Sequence, residues 1–354
     1  MFIPSSKTRL LLPKSVLSVL LVFALVACGG GGSDSPAPTP TPPAFTPTSV
    51  KSALDYAVDQ GVDGIWVYAD EGNGQITIET AGLANRNTRE ASRVDSQFKI
   101  ASISKLFIAV SASKLVAQGT LQLDDTLAFW LPGLAARIEN ADTITLRNLL
   151  QHRSGVPDFD SQAGFSWQNA HTDNNQLLEF ALDKPADFGP NARYEYSNTN
   201  YLLLGMIFDT ALGYSHHDFV QSTILTPLGI LETYSLQSQT DIALLARGYW
   251  DGIDRTEQEY VAPGGSMVST VQDTGVFMRA LATGDLLTDD ERAIYTSLFD
   301  NYAHSGWLPG YQSIARYNGS TDTVIVQFVN TTGGSSEAVS SEVYNLISEY
   351  LRTN

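Results

Sequence analysis

Three short stretches of the 354-residue chain carry side chains suited to acyl transfer. Ser102-Ile103-Ser104-Lys105 sets a hydroxyl nucleophile three residues before an amine. Tyr196-Ser197-Asn198 adds a phenol and a carboxamide. His304-Ser305-Gly306, followed by Trp307, adds a polar corner that becomes cationic when its imidazole is protonated. Acyl transfer needs an activated nucleophile, proton carriers and donors for an oxyanion, and these residue types supply all of them.

A Ser-x-x-Lys pattern alone is weak, since about one or two arise by chance in a chain of this length. A second copy, Ser111-Ala112-Ser113-Lys114, is present. Position separates the two. Ser102 follows the extended stretch 97–101 and opens a helix, where free backbone N–H groups and the positive dipole end favour an oxyanion. Lys105 follows one turn on, on the same face. Ser111 falls deeper in the helix and on its opposite side. Lys105 stands beside an apolar stripe, so partial burial is expected to lower its pKa and make it usable as a base. A cationic Lys105 near Tyr196 would push the phenol toward phenolate. The bland alternatives are a solvated lysine, Asn198 as a helix cap, and a turn at His304.

The elements that must position these groups follow from periodicity. Ser49 reads as the cap of a helix running toward Val58. Runs 62–69 and 75–81 are β-rich and joined by a turn, which predicts a hairpin. Over 102–118 the residues Ile103, Leu106, Phe107, Val110 and Ala117 form one helical stripe, ended by Gly119. Residues 120–260 look helical and loop-rich, with helices expected over 145–150, 174–182, 200–212 and 217–225. Another begins near Thr270. Strands return at 312–317 and 323–330, and an amphipathic helix spans 337–351. Strands at both ends with helices between predict an α+β fold: an antiparallel sheet flanked by helices, with an inserted all-helical subdomain. The sheet part is expected at about 49–110 and 260–354, and the insertion at about 111–259. A cleft between the two would be a natural site.

Residues 1–27 read as a signal peptide. Lys7, Arg9 and Lys14 precede an apolar run from Ser15 to Ala27 that is too short to span a bilayer. Leu25-Val26-Ala27-Cys28 resembles a bacterial lipobox, and Cys28 is the chain's only cysteine, which points to lipidation there. The Gly/Pro/Thr-rich stretch 28–48 reads as a tether before a folded part over 49–354. Export, with a lipid anchor in the cell envelope, at the outer membrane facing the periplasm, is the expected localisation, since Gly29 follows the cysteine. Removal of Lys7, Arg9 and Lys14 takes the formal charge from −17 to −20, which disfavours nucleic acid as a partner. No HExxH, Cys/His cluster or carboxylate-rich ligand loop argues for a metal, and no glycine-rich nucleotide motif argues for a cofactor. His152 lies in a loop-like HRSGVPDF stretch, and the adjacent His216 and His217 are expected to point apart. The absence of Gly-x-Ser-x-Gly argues against an α/β-hydrolase.

With the three motifs in order, the chain resembles the serine β-lactamase and penicillin-binding-protein superfamily, in its class C β-lactamase and D-Ala-D-Ala carboxypeptidase-like branch. The likeness runs from about 50 to 351 and extends to FKIASISKLF, LLQHRSGVPDF, YEYSNTNYLLLG, PGGSMVST and HSGWLPGYQS. It implies Ser102 as nucleophile, with Lys105 and Tyr196 as the proton-transfer pair. Asn198 would bond the substrate amide, and His304 and Ser305 its carboxylate. The backbone N–H groups of Ser102 and Trp307 would form the oxyanion hole. Two departures stand out. His304 replaces the lysine of class C enzymes, and the stretch from Met267-Val268-Ser269 to His304 is short for the group. The expectation is a monomeric exported lipoprotein that acts as a serine hydrolase on small peptide, peptidoglycan-like or ester substrates, foremost as a D-Ala-D-Ala carboxypeptidase. An esterase or β-lactamase on the same scaffold, and a non-catalytic envelope-binding lipoprotein, are the alternatives.

Overall fold

The computed structural model describes residues 45–354. The expected signal peptide, the lipidation at Cys28 and nearly all of the tether lie outside these residues. Helix α1 spans Val50–Asp59, with Ser49 as its cap. The Ser49 hydroxyl accepts from the Ser52 N–H and the Ser52 hydroxyl accepts from the Ser49 N–H, both at 3.0 Å. This reciprocal pairing satisfies two otherwise orphaned donors. Strands β1 (Gly64–Asp70) and β2 (Ile76–Asn85) form the expected hairpin, followed by the short β3 (Glu90–Ala91). Helix α2 covers Ser104–Ala117, α3 covers Asn198–Leu212, α4 covers Val271–Thr283 and α5 covers Asp289–Leu298. Strands β4 (Ala303–Leu308), β5 (Tyr311–Asn318) and β6 (Thr323–Val329) follow, and α6 (Ser336–Thr353) closes the chain.

The six strands form one sheet in the order β3-β2-β1-β6-β5-β4. All of its pairings are antiparallel. The first and last parts of the chain meet at its centre, where Ile65 faces Val329 and Asp70 faces Val324. Along β1, alternate side chains serve two cores. Ile65 and Val67 join Leu54, Val343 and Ile347 of α1 and α6 on one face. Trp66 and Tyr68 join Phe98, Phe107 and Phe277 on the other. A third core, wholly of helices and loops, gathers Ile108, Leu115, Leu149, Leu203 and Phe208. This is the α+β architecture read from the sequence.

Two local expectations need correction. The single stripe assigned to 102–118 is too narrow. Helix α2 contributes Phe107 and Val110 to the sheet-side core and Ile108 and Leu115 to the helical core. A helix packed from both sides is buried around its whole girth, whereas Ala117, its last residue, is exposed. His216 and His217 do not point apart: their ring centroids lie 4.1 Å from each other. A helix separates neighbouring side chains by about 100°, not 180°, so two large rings can still meet. The short stretch before His304 holds α4 and α5, and β4 follows as a regular edge strand.

Candidate active site

Ser102 sits in a single 3₁₀ turn, Ala101–Ile103, that links the two-residue strand Phe98–Lys99 to α2. The Ile100 N–H donates to the Met267 carbonyl at 3.0 Å and holds the entry to the turn. Ala101 takes φ +50°, a left-handed conformation uncommon for a residue with a Cβ. The sharp reversal brings Ser102 to the head of the helix. Strand β4 lies directly against this turn. A Cβ on Gly306 would stand 2.5 Å from the Ile100 carbonyl oxygen and 2.9 Å from the Ala101 Cβ. Only glycine allows that approach, which accounts for the third residue of the His304 motif.

Lys105 is 1% exposed, although it carries an amine. Its Nζ donates to Ser102 Oγ at 3.0 Å, to Asn198 Oδ1 at 2.8 Å and to the Gly264 carbonyl at 2.8 Å. Burial pushes its pKa down to about 7, against the opposing pull of the Asp158 and Asp160 charges. The Tyr196 hydroxyl donates to Ser102 Oγ at 3.1 Å. The structure thus brings Ser102, Lys105, Tyr196 and Asn198 into one hydrogen-bonded cluster. The phenol is not driven toward phenolate as the sequence suggested. Burial raises its pKa well above the ordinary value, and the Asp158 and Asp160 charges add to the rise. Lys105 lies off the face of the Tyr196 ring, 5.1 Å from its centroid, rather than in contact with its oxygen.

Asn198 is the first residue of α3, with Ser197 rather than Asn198 at the cap position. Its Nδ2 donates to Asp158 Oδ2 at 3.3 Å and to Asp160 Oδ2 at 3.1 Å. These acceptors fix the amide so that its oxygen turns to Lys105. Burial raises both carboxyls above the usual range. His304, second in β4, is half-buried, and its ring Nδ1 lies 2.6 Å from the Ser305 carbonyl oxygen. A carbonyl only accepts, so Nδ1 carries the proton. Burial and the charge of Lys105 push His304 down to about 4, leaving it neutral at pH 7. Ser305 is exposed and Trp307 half-buried on the same edge strand.

Sequence reasoning passed over four contributors. His152 stacks on Tyr196, with ring centroids 4.4 Å apart and planes 28° from parallel. Its Nδ1 accepts from the Ser197 N–H at 3.2 Å, and burial with the nearby Lys105 pushes its pKa to about 3. Asp158, Asp160 and the Gly264 carbonyl complete the shell around Lys105 and Asn198. The run HRSGVPDFD, dense in polar residues, was the available signal for three of them. The decoy pair is occupied elsewhere: Ser111 Oγ donates to the Phe107 carbonyl at 2.9 Å, and Lys114 pairs with Glu291 at 3.0 Å.

A serine hydroxyl with a buried lysine and a tyrosine on its oxygen, between an antiparallel sheet and a helical layer, defines a serine acyl-transfer fold of the penicillin-recognising kind. The family model Beta-lactamase matches residues 52–301, and the chain belongs to that family. Its members are serine hydrolases. Penicillin-binding protein 4* of Bacillus subtilis is 32% identical over 170 residues, 47% of this chain and 37% of that protein. Penicillin-binding protein 4 of Amycolatopsis lactamdurans is 28% identical over 241 residues, 63% of this chain and 60% of that protein. The matched stretches thus cover less than two thirds of either relative. Among solved structures, the D-amino acid amidase of Ochrobactrum anthropi SV3 superposes with a TM-score of 0.78 at 27% identity, covering 86% of this chain and 97% of that one.

Proposed function

We propose that this chain is an exported, lipid-anchored serine hydrolase that forms an acyl-enzyme at Ser102 and acts foremost as a D-Ala-D-Ala carboxypeptidase. The observation that carries the reading is the pair of proton carriers on one oxygen: Lys105 Nζ at 3.0 Å and Tyr196 OH at 3.1 Å from Ser102 Oγ. With a pKa near 7, a substantial share of Lys105 is neutral at physiological pH and accepts the serine proton. Ser102 Oγ then bonds to the acyl carbon. The resulting oxyanion is met by the N–H groups of Ser102 and Trp307. Tyr196, still protonated, gives its proton to the leaving nitrogen as the C–N bond breaks; it takes one back from the attacking water, and Lys105 returns its proton to Ser102 Oγ. Water repeats the sequence in reverse on the acyl-enzyme. Asn198 holds Lys105 and the substrate amide, and Ser305 and Gly306 line the edge where an extended substrate lies. The lipobox-like segment ending at Cys28 supports the envelope placement.

The test is release of D-alanine from diacetyl-Lys-D-Ala-D-Ala by wild type and by Ser102→Ala. Release by the wild type alone supports the reading, and no release by either sinks it. A second reading, hydrolysis of D-amino acid amides, is favoured by the structural likeness to an amidase over nearly that enzyme's whole length. Ammonia from D-phenylalanine amide without D-alanine from the peptide would select it.

A further inference from the structure

The stretch that delivers Tyr196 to Ser102 is exposed over residues 191–195 and takes no regular structure from 193 until α3 begins at Asn198. Tyr196, Tyr194, His152 and His304 also border a cavity of about 440 Å³. That space would take an aromatic ring, and a side chain facing it lacks partner atoms on that side. Packing alone therefore does not keep the Tyr196 hydroxyl on Ser102 Oγ.

We propose that His152 is the positioning residue of Tyr196, gripping the chain on both sides of it and its ring from the face. The inference deepens the acyl-transfer reading above and rests on it. His152 is buried in the turn that follows the short helix Leu146–Leu150, with φ +54°. Its carbonyl accepts from the Glu195 N–H at 2.9 Å, and its ring Nδ1 accepts from the Ser197 N–H at 3.2 Å. The two main-chain donors that flank Tyr196 thus end on one residue. The imidazole lies against the phenol, with centroids 4.4 Å apart and planes 28° from parallel. Tyr201 packs on the imidazole too, at 5.2 Å, and its own hydroxyl is tied to the Leu150 carbonyl at 3.2 Å. A buried relay fixes which ring nitrogen accepts. Ser154 Oγ donates to Asn200 Oδ1 at 2.6 Å, which leaves Asn200 Nδ2 facing His152 Nδ1 at 3.4 Å. Two donors at Nδ1 make it an acceptor and put the ring proton on Nε2. Burial and the charge of Lys105 push the imidazole down to about 3, so Nδ1 keeps its lone pair at neutral pH. His152 and Ser154 come from the HRSG stretch, and Ser197 and Asn200 from YSNTN. The two stretches mate to hold the tyrosine, and His152 acts on the chemistry through it.

The experiment compares two probes of Ser102. Penicillin, followed by intact mass, acylates with loss of a nitrogen that needs the Tyr196 proton; nitrophenyl acetate loses a phenolate that does not. Both are measured on wild type, His152→Asn and His152→Phe, each with and without Tyr196→Phe. Asparagine tolerates the left-handed φ and offers Oδ1 in place of Nδ1, whereas phenylalanine keeps a ring and loses the acceptor. His152→Phe is expected to slow penicillin acylation about 10²-fold and His152→Asn about tenfold, with ester turnover falling at least about fivefold less in each. In the Tyr196→Phe background neither is expected to change acylation by more than about threefold, because the hydroxyl they position is gone. Equal losses on both probes overturn the proposal, and so does a His152 effect that persists undiminished without the Tyr196 hydroxyl. His152→Asn alone decides both points if His152→Phe does not fold. Amide hydrogen exchange at Ser197 reads the grip with no substrate: it is expected to quicken at least about tenfold in His152→Phe and to stay within about threefold of wild type in His152→Asn. Unchanged exchange in folded His152→Phe overturns the proposal. A grip upheld by exchange, in a protein that reacts with neither probe, removes the acyl-transfer reading instead.

Discussion

Gly264 offers the sharpest check on the reading of Lys105, because it both accepts from the amine and makes room for it. A Cβ at this position would stand 2.8 Å from the Tyr201 Cβ, 3.0 Å from Lys105 Nζ and 3.1 Å from Lys105 Cε. Ordinary carbon contacts begin at about 3.5–4.0 Å, so Gly264→Ala must displace its neighbours by about 0.7–1 Å. Tyr201 is wedged in the helical core and yields little. The displacement therefore falls on the loop that carries the Gly264 carbonyl, and with it on the amine that donates to that carbonyl. Overpacking of this kind costs about 1–3 kcal/mol of stability. A shift of about 1 Å in a reacting group costs about 10²-fold in rate. The assay is the rate of penicillin adduct formation, followed by intact mass, beside denaturant unfolding. Gly265→Ala is the matched control, since a Cβ there meets only the Ala262 carbonyl oxygen at 3.9 Å. Acylation by folded Gly264→Ala within about threefold of wild type would refute the claim that Lys105 acts from this position. An equal loss in Gly265→Ala would assign the effect to the loop rather than to the lysine.

Other outcomes follow from the same geometry. The neutral amine of Lys105 is the base and its pKa lies near 7, so kcat/KM for an ester rises with pH, levels off above about 7, and falls about tenfold per unit well below it. Tyr196 is raised above its ordinary value and adds no descending limb below about pH 10; a bell centred near neutrality in a stopped-flow pH series would contradict both assignments. Tyr196→Phe keeps the stack on His152 but removes the proton, and is expected to lose about 10²–10⁴-fold on amides and much less on nitrophenyl esters, measured as a ratio of kcat values. Ser102→Ala forms no penicillin adduct in the mass spectrum, whereas Ser111→Ala, whose hydroxyl serves only its own helix, forms it at the wild-type rate.

The chemistry was readable in the sequence where it depends on short spacing. Ser102 and Lys105 are one helical turn apart, so three residues of sequence specify their 3.0 Å contact. The capping pair Ser49 and Ser52 and the β1–β2 hairpin are local in the same sense. What escaped was set by distant closure. Asp158 and Asp160 reach Asn198 across about 40 residues of loop and helix, and polar loop residues carry no periodicity to announce it. The direction of the Tyr196 shift was misread for a related reason. Proximity of a cation is visible in a motif, but the depth of burial, which dominates the shift, is decided by His152 and the surrounding layers. The girdle of burial around α2 likewise depends on two cores that meet only in the folded chain.

Strand β4 has a neighbour on one side only. An edge strand offers a row of main-chain donors and acceptors to any extended chain laid beside it. A ligand seated there is graded by the direction and handedness of its own backbone before any of its side chains are consulted. Gly306, where even a methyl finds no space, keeps this ribbon pressed against the turn that carries Ser102. Chirality can thus be enforced by a bare ribbon of peptide groups, and the substituents on the ligand remain free to vary.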